Sequence, residues 1–203
     1  MNALTKVPHY YEMLGVRLQY LDLALPNNDA NRWLRERSID IKHAVNVAGP
    51  VIEMEIIAMP GGIFSFCEDR EGFMAFVMMV FDRDAVSVID FIAWTRDKPG
   101  RVFRYFGYAD TLAVDQLYNP ATYFADGGLM LHRSPFDWLV AGCTGAVVLD
   151  TSEFRERLCA ARQEIPQCRI VGDCIGRARE LRKALSPIPS HVNIFVPAST
   201  VAA

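Results

Sequence analysis

The sequence predicts an α+β fold, an antiparallel sheet flanked by helices, with a mixed helix/strand C-terminal half. Three observations carry this. Between residues 50 and 107, short apolar runs alternate with turn signals, the pattern of an antiparallel meander. From 108 to 197, helical and strand-like segments follow one another. The stretch Ser134 to Asp150 states its own structure: Ser134 as helix cap, Pro135 at the first helical position, Asp137 as capping-box acid and Gly142 as terminator. Gly145 then opens a buried strand, Ala146 to Leu149, and Asp150-Thr151-Ser152 starts another helix.

The elements follow in order within one expected domain, 1–203. The helical segment 1–49 carries Leu14, Leu18, Leu21 and Leu25 at helical spacing, then a second helix around Trp33, Leu34 and Ile41. The meander 50–107 has strands at Val51–Met59, Ile63–Cys67, Phe73–Phe81, Val86–Thr95 and Arg101–Phe106. Its turns are Pro60-Gly61-Gly62, Glu68–Gly72, Asp82–Asp84 and Asp97–Gly100. In the region 108–197, Ala109–Leu117 reads as a helix, Asn119–Gly128 as a loop and Leu129–Leu131 as a strand. Glu153–Ala161 and Asp173–Leu185 read as helices, and Arg169–Val171 and Val192–Val196 as strands.

Bulk composition excludes several classes. A chain of 203 residues needs no disulfide staples to bury a core. A net charge of −3 argues against a protein dominated by nucleic-acid affinity and leaves room for a local basic patch. The five cysteines (67, 143, 159, 168, 174) form no CxxC, so reduced thiols and a cytoplasmic location are expected. Met1 to Tyr11 lacks the apolar centre of a signal peptide. The longest apolar run, Phe73–Phe81, is nine residues, too short to span a bilayer as a helix, and no membrane association is expected.

Candidate chemistry is sparse. Asp82-Arg83-Asp84 follows an apolar strand, and two acids at a strand end suit Mg²⁺. The pair resembles the Asp-x-Asp of toprim domains, which would also require Glu53 or Glu55 as the upstream acid and a helix after the pair. A strand follows instead, and a hairpin turn is the favoured reading. Asp90 shares a strand face with Val86, Val88, Ile92 and Trp94 and needs compensation. A structural acid satisfied by backbone or by Arg101 or Arg104 is preferred to a catalytic carboxylate. Asp150 reads as a helix cap before it reads as a general base.

His132, with Cys143 nearby in sequence, invites a Cys–His nucleophile, against which stands the inertness of buried cysteines. The histidines (9, 43, 132, 191) lack zinc-ligand spacing. Arg177 and Arg179 follow a strand–glycine–helix pattern that would suit an anion. Eight basic residues against five acids between Thr151 and Leu185 make a modest basic face. Val102 to Tyr108 interleaves aromatics with Arg104, as single-strand binders do and as ordinary strands do.

Two stretches within residues 82–150, Ile89–Trp94 with its basic Pro-Gly turn and Arg133–Asp150, together resemble uncharacterised bacterial proteins of phage-like or plasmid gene clusters. The resemblance implies a bacterial source and an accessory role in mobile-element DNA metabolism, and transfers no functional residue. The sequence therefore leads to a non-enzymatic binding or accessory protein, acting through protein or weak nucleic-acid contacts and needing no cofactor. The alternative is a Mg²⁺-dependent enzyme acting on phosphate esters through Asp82, Asp84, Asp90 or Asp150.

Overall fold

The computed structural model describes residues 15–17, 29–67, 72–125, 127–186 and 194–195. Most of the Leu14–Leu25 helical pattern, His9, His191 and the C-terminal tail lie outside them. Residues 15–17 are helical. Helix α1 (Asp29–Arg35) and helix α2 (Ile41–Ala48) follow. Asp40 caps α2 by accepting the His43 N–H at 3.1 Å, and Gly49, at φ 74°, ends it.

The fold is mixed α and β, and its first sheet departs from the expected meander. Strands β1 (Ile52–Met59), β2 (Ile63–Phe66), β3 (Phe73–Phe81), β4 (Val88–Trp94) and β5 (Val102–Arg104) close into a barrel of order β1-β2-β5-β4-β3. The difference comes from the length of β1. Its C-terminal half pairs with β2 (Ile56↔Phe66 to Met59↔Ile63), and its N-terminal half pairs with β3 (Ile52↔Val77 to Ile56↔Phe73). A parallel pairing of β2 with β5 at Ile63↔Arg104 completes the circle.

The nine-residue apolar run of β3 is explained by burial on both faces. Ala75, Val77 and Met79 join Ile52, Ile56, Phe64, Phe91, Ala93 and Phe103, a cluster drawn from all five strands that fills the barrel, with Val16 packed against it. Phe76, Met78 and Val80 face outward and pack with Ile92, Trp94, α1 and α2.

The second sheet has the order β10-β9-β7-β8-β6. Its strands are β6 (Thr111–Leu112), β7 (Leu129–His132), β8 (Ala146–Val148), β9 (Ile170–Val171) and β10 (Ile194–Phe195). β6 runs antiparallel to β8, and the remaining pairs are parallel. Helices α3 (Asp115–Tyr118), α4 (Pro120–Ala125), α5 (Pro135–Val140), α6 (Thr151–Glu164) and α7 (Ile175–Ala184) connect them. Leu112, Trp138, Leu139 and Val147 belong to the same apolar cluster as the outer face of β3 and β4, so the barrel and the second sheet share a core.

Three local expectations are corrected here. The single helix expected around Trp33, Leu34 and Ile41 is two, α1 and α2, parted at Ser38, which takes φ 60°. The expected helix Ala109–Leu117 is strand β6 followed by a short α3. Thr111 and Leu112 pair with Val148 and Val147, and Ala113 at φ 60° separates the two elements. The expected loop Asn119–Gly128 contains α4. Asn119 accepts the Ala121 N–H at 3.0 Å, so Pro120 starts a helix rather than merely stopping one.

The unit Ser134–Asp150 forms as read. Ser134 accepts the Asp137 N–H at 3.1 Å and donates its hydroxyl to Asp137 Oδ2 at 2.7 Å. Gly142 takes φ 69° after α5. Gly145 takes φ 76°, and a Cβ there would lie 2.4 Å from the Met130 carbonyl, so this position requires glycine. No helix among the described residues is long and apolar enough to cross a membrane.

Candidate binding cleft and the fate of the candidate residues

Asp90 is fully buried and its carboxylate is saturated by backbone. Oδ1 accepts the N–H groups of Phe91 and Phe106, each at 2.8 Å, and Oδ2 accepts those of Tyr108 at 2.7 Å and Ala109 at 3.0 Å. The structural reading of this acid holds, and the expected arginine partners do not. Arg101 lies exposed, its guanidinium 5.0 Å from the Phe103 ring centroid. Arg104 donates to the Ala109 carbonyl at 3.0 Å and pairs with Asp150 at 3.6 Å. The cause is the chain's path: residues 105–109 leave the barrel as a non-repetitive segment, and its N–H groups need an acceptor.

Asp82 and Asp84 hold the turn between β3 and β4. Asp82 Oδ1 accepts the Arg83 N–H at 2.7 Å, and Asp84 Oδ1 accepts those of Val86 and Ser87 at 2.9 and 2.8 Å. Hydrogen bonds from Ser87, hydroxyl first, hold the Asp84 carboxyl below the usual carboxylate range. Glu53 pairs with Arg96, and Glu55 accepts the Gly72 N–H at 3.2 Å.

Asp150 caps α6, accepting the N–H groups of Ser152 and Glu153 at 3.0 and 3.2 Å. The Ser152 hydroxyl, these N–H groups and Arg104 hold its carboxyl low. Among the described residues, no group of three or more His, Cys, Asp or Glu side chains is placed to hold a metal ion.

His132 Nε2 lies 2.8 Å from the Thr144 carbonyl, and burial lowers its pKa. Cys143 sits buried at φ 58°, its thiol pushed up to about 11 by burial, which makes it a poor nucleophile. Arg177 pairs with Glu180 at 3.3 Å and reaches the His132 carbonyl at 3.5 Å, while Arg179 is exposed. Cys174 Sγ accepts the Arg177 N–H at 3.4 Å.

Sequence reasoning missed the polar joint between the two sheets. Asp110 is 2% exposed and Arg157 donates to its carboxylate at 2.6 Å. Its carbonyl accepts the N–H groups of Leu149 and Asp150 at 2.8 and 3.0 Å. Together with Arg104–Asp150, this ties the segment leaving the barrel to the start of α6. Nothing local marks Asp110 and Arg157 as partners, because they lie 47 positions apart.

One open region, a cleft of about 430 Å³, lies at one end of the barrel. It is lined by Phe73, Met74 and Phe103 together with Glu53, Thr95, Arg96, Asp97, Lys98 and Arg101. Phe73 and Met74, at the start of β3, are 37% and 53% exposed, which is high for large apolar side chains on a barrel. The Phe73 and Phe103 rings lie 5.9 Å apart. Arg96, Lys98 and Arg101 come from the turn between β4 and β5 and are exposed. Glu53 is taken up by Arg96, and the Asp97 carboxyl is held low, chiefly by the Thr95 hydroxyl. Among the described residues, Lys98 and Arg101 make no ion pair with a carboxylate. The Lys98–Pro99–Gly100 turn is legible in the sequence; its meeting with Phe73 is set by the register Phe76↔Trp94, which a sequence does not print.

No family model, no curated protein and no solved structure matches the chain.

Proposed function

We infer that the chain is a non-enzymatic binding or accessory protein whose working surface is the cleft at the barrel end, and that the cleft takes an anionic, partly apolar segment of a partner. One observation carries this reading: exposed Phe73 and Met74 adjoin Lys98 and Arg101, cations that make no ion pair at contact distance among the described residues, Asp97 beside Lys98 being the nearest acid in sequence. An apolar floor with a few polar groups at its rim is the usual composition of a binding site. A local excess of positive charge on a chain of net charge −3 selects for anions there and repels them elsewhere. The resemblance across residues 82–150 supports an accessory rather than a catalytic role.

The rival reading, metal-dependent hydrolysis, would need Asp82, Asp84, Asp90 or Asp150 to offer lone pairs to a cation. Backbone N–H groups fill both oxygens of Asp90, while Asp82, Asp84 and Asp150 each bind backbone through Oδ1, in the β3–β4 turn and in the α6 cap, which favours the structural roles. The test uses heparin as a generic polyanion, titrated into isotope-labelled protein while backbone amide shifts are followed. The largest changes are expected at Met74, Arg96, Lys98 and Arg101, weakening with salt. Changes centred on Arg177 and Arg179, or none at about 50 mM salt, would overturn the reading.

A further inference from the structure

Resting on that reading, we propose that the barrel-end cleft binds single-stranded nucleic acid, with a base stacked on Phe73 and phosphates held by Lys98 and Arg101. The argument lies in the pairing of groups. A cationic surface alone accepts any polyanion. Here the cations border an exposed aromatic ring, and a second ring, Phe103, lies 5.9 Å behind it. Every unpaired base has an apolar face that such a ring can take, and every nucleotide carries a phosphate for the adjacent cation.

Arg101 is held for that task. Its guanidinium lies 5.0 Å from the Phe103 centroid, and a guanidinium resting on a ring keeps its in-plane N–H donors for phosphate oxygens. Lys98 sits three residues away in the same turn, between Asp97 and Pro99. Arg96 is less available, because it pairs with Glu53.

Charge also argues for this occupant. The lining carries Arg96, Lys98 and Arg101 against Glu53 and Asp97, and Arg96 and Glu53 cancel each other. What remains is Lys98 and Arg101 against Asp97, a net charge of +1 with two cations for at most two phosphates, so weak binding with a shallow salt dependence is expected. A duplex keeps its bases stacked internally and presents only its backbone to the cations. An acidic peptide would use the cations and leave Phe73 without its partner.

The test measures fluorescence anisotropy of a labelled oligothymidylate of roughly twenty nucleotides. A duplex and a glutamate-rich peptide of similar length serve as alternative probes. Binding in the micromolar range is expected at about 50 mM salt, falling roughly tenfold by about 200 mM. Phe73→Ala should weaken it about tenfold and Phe73→Tyr should retain it, because stacking needs a ring. Lys98→Glu with Arg101→Glu should abolish it. Each variant is checked for an unchanged melting temperature, and Phe73→Leu, apolar but without a ring and expected to weaken binding as Phe73→Ala does, keeps the stacking claim testable if Phe73→Ala fails to fold.

Duplex binding as tight as single-strand binding, or oligonucleotide binding that is indifferent to Phe73→Ala in a folded variant, would overturn the proposal. Binding of the glutamate-rich peptide alone, lost in the double charge reversal, would overturn the nucleic-acid assignment and leave the cleft as the working surface. Failure of all three probes together with heparin would overturn both.

Discussion

Oδ2 of Asp90 accepts the backbone N–H of Tyr108 at 2.7 Å, which fastens a buried strand of the barrel to the chain that leaves it. The neighbouring bonds to Phe106 and Ala109 make the same carboxylate the organiser of residues 105–109. Arg104 and Asp110, at either end of that segment, then engage Asp150 and Arg157. One acid in β4 thus anchors the segment that leads from the barrel to the second sheet.

Asp90→Asn tests this joint. The amide can still accept through its oxygen, but its NH₂ group would face two N–H donors. Stability should fall by about 2 kcal/mol, the cost of leaving buried donors unpaired. Urea denaturation measures it directly. A variant as stable as the parent would show that the backbone contacts are dispensable.

Ser134→Ala removes the α5 cap, which accepts the Asp137 N–H and donates to the Asp137 carboxylate. The expected loss is about 1 kcal/mol. A melting curve superimposable on that of the parent would contradict the capping role.

The five thiols should divide by environment. Burial pushes Cys143 up to about 11 and also raises Cys168, whose thiol contacts the Tyr123 hydroxyl at 3.1 Å. Cys67, Cys159 and Cys174 are only partly buried. Near neutral pH a thiol reagent should modify these three first, with Cys143 and Cys168 reacting only on unfolding. Peptide mapping of alkylated native protein reads the order, and early modification of Cys143 would count against its burial.

His132 should make stability fall in mild acid. Burial lowers its pKa, so on acidification the unfolded chain takes up the proton first. Stability is therefore lost as pH drops from about 6.5 toward the lower folded value. The drop in melting temperature between about pH 7.5 and 5.5 should be smaller for His132→Asn than for the parent. Equal drops would mean that the imidazole titrates as if in water.

Local chemistry was legible in the sequence and long-range pairing was not. The Ser134 cap, the Asp150 cap, the Asp82–Asp84 turn and all nine residues of β3 follow from neighbouring residues, and each appears as read. The barrel was missed because closure depends on β1 splitting its length between two partners and on one parallel pairing, Ile63↔Arg104. The need of Asp90 for compensation could be read from its apolar face, whereas three of its four donors lie 16 to 19 positions ahead in a segment without periodicity. The cleft was half visible: its turn is a sequence motif, but Phe73 reaches Phe103 only through the barrel.

The most direct test of the account compares the parent with Lys98→Glu/Arg101→Glu for heparin affinity at low salt, with melting temperatures measured in parallel. Both residues are exposed turn residues, so the fold should be untouched. The account predicts unchanged melting and an affinity lower by at least about tenfold, as expected when both phosphate-like contacts are reversed in sign. Equal affinity in the folded double variant would contradict the assignment of the barrel-end cleft as the working surface of this protein.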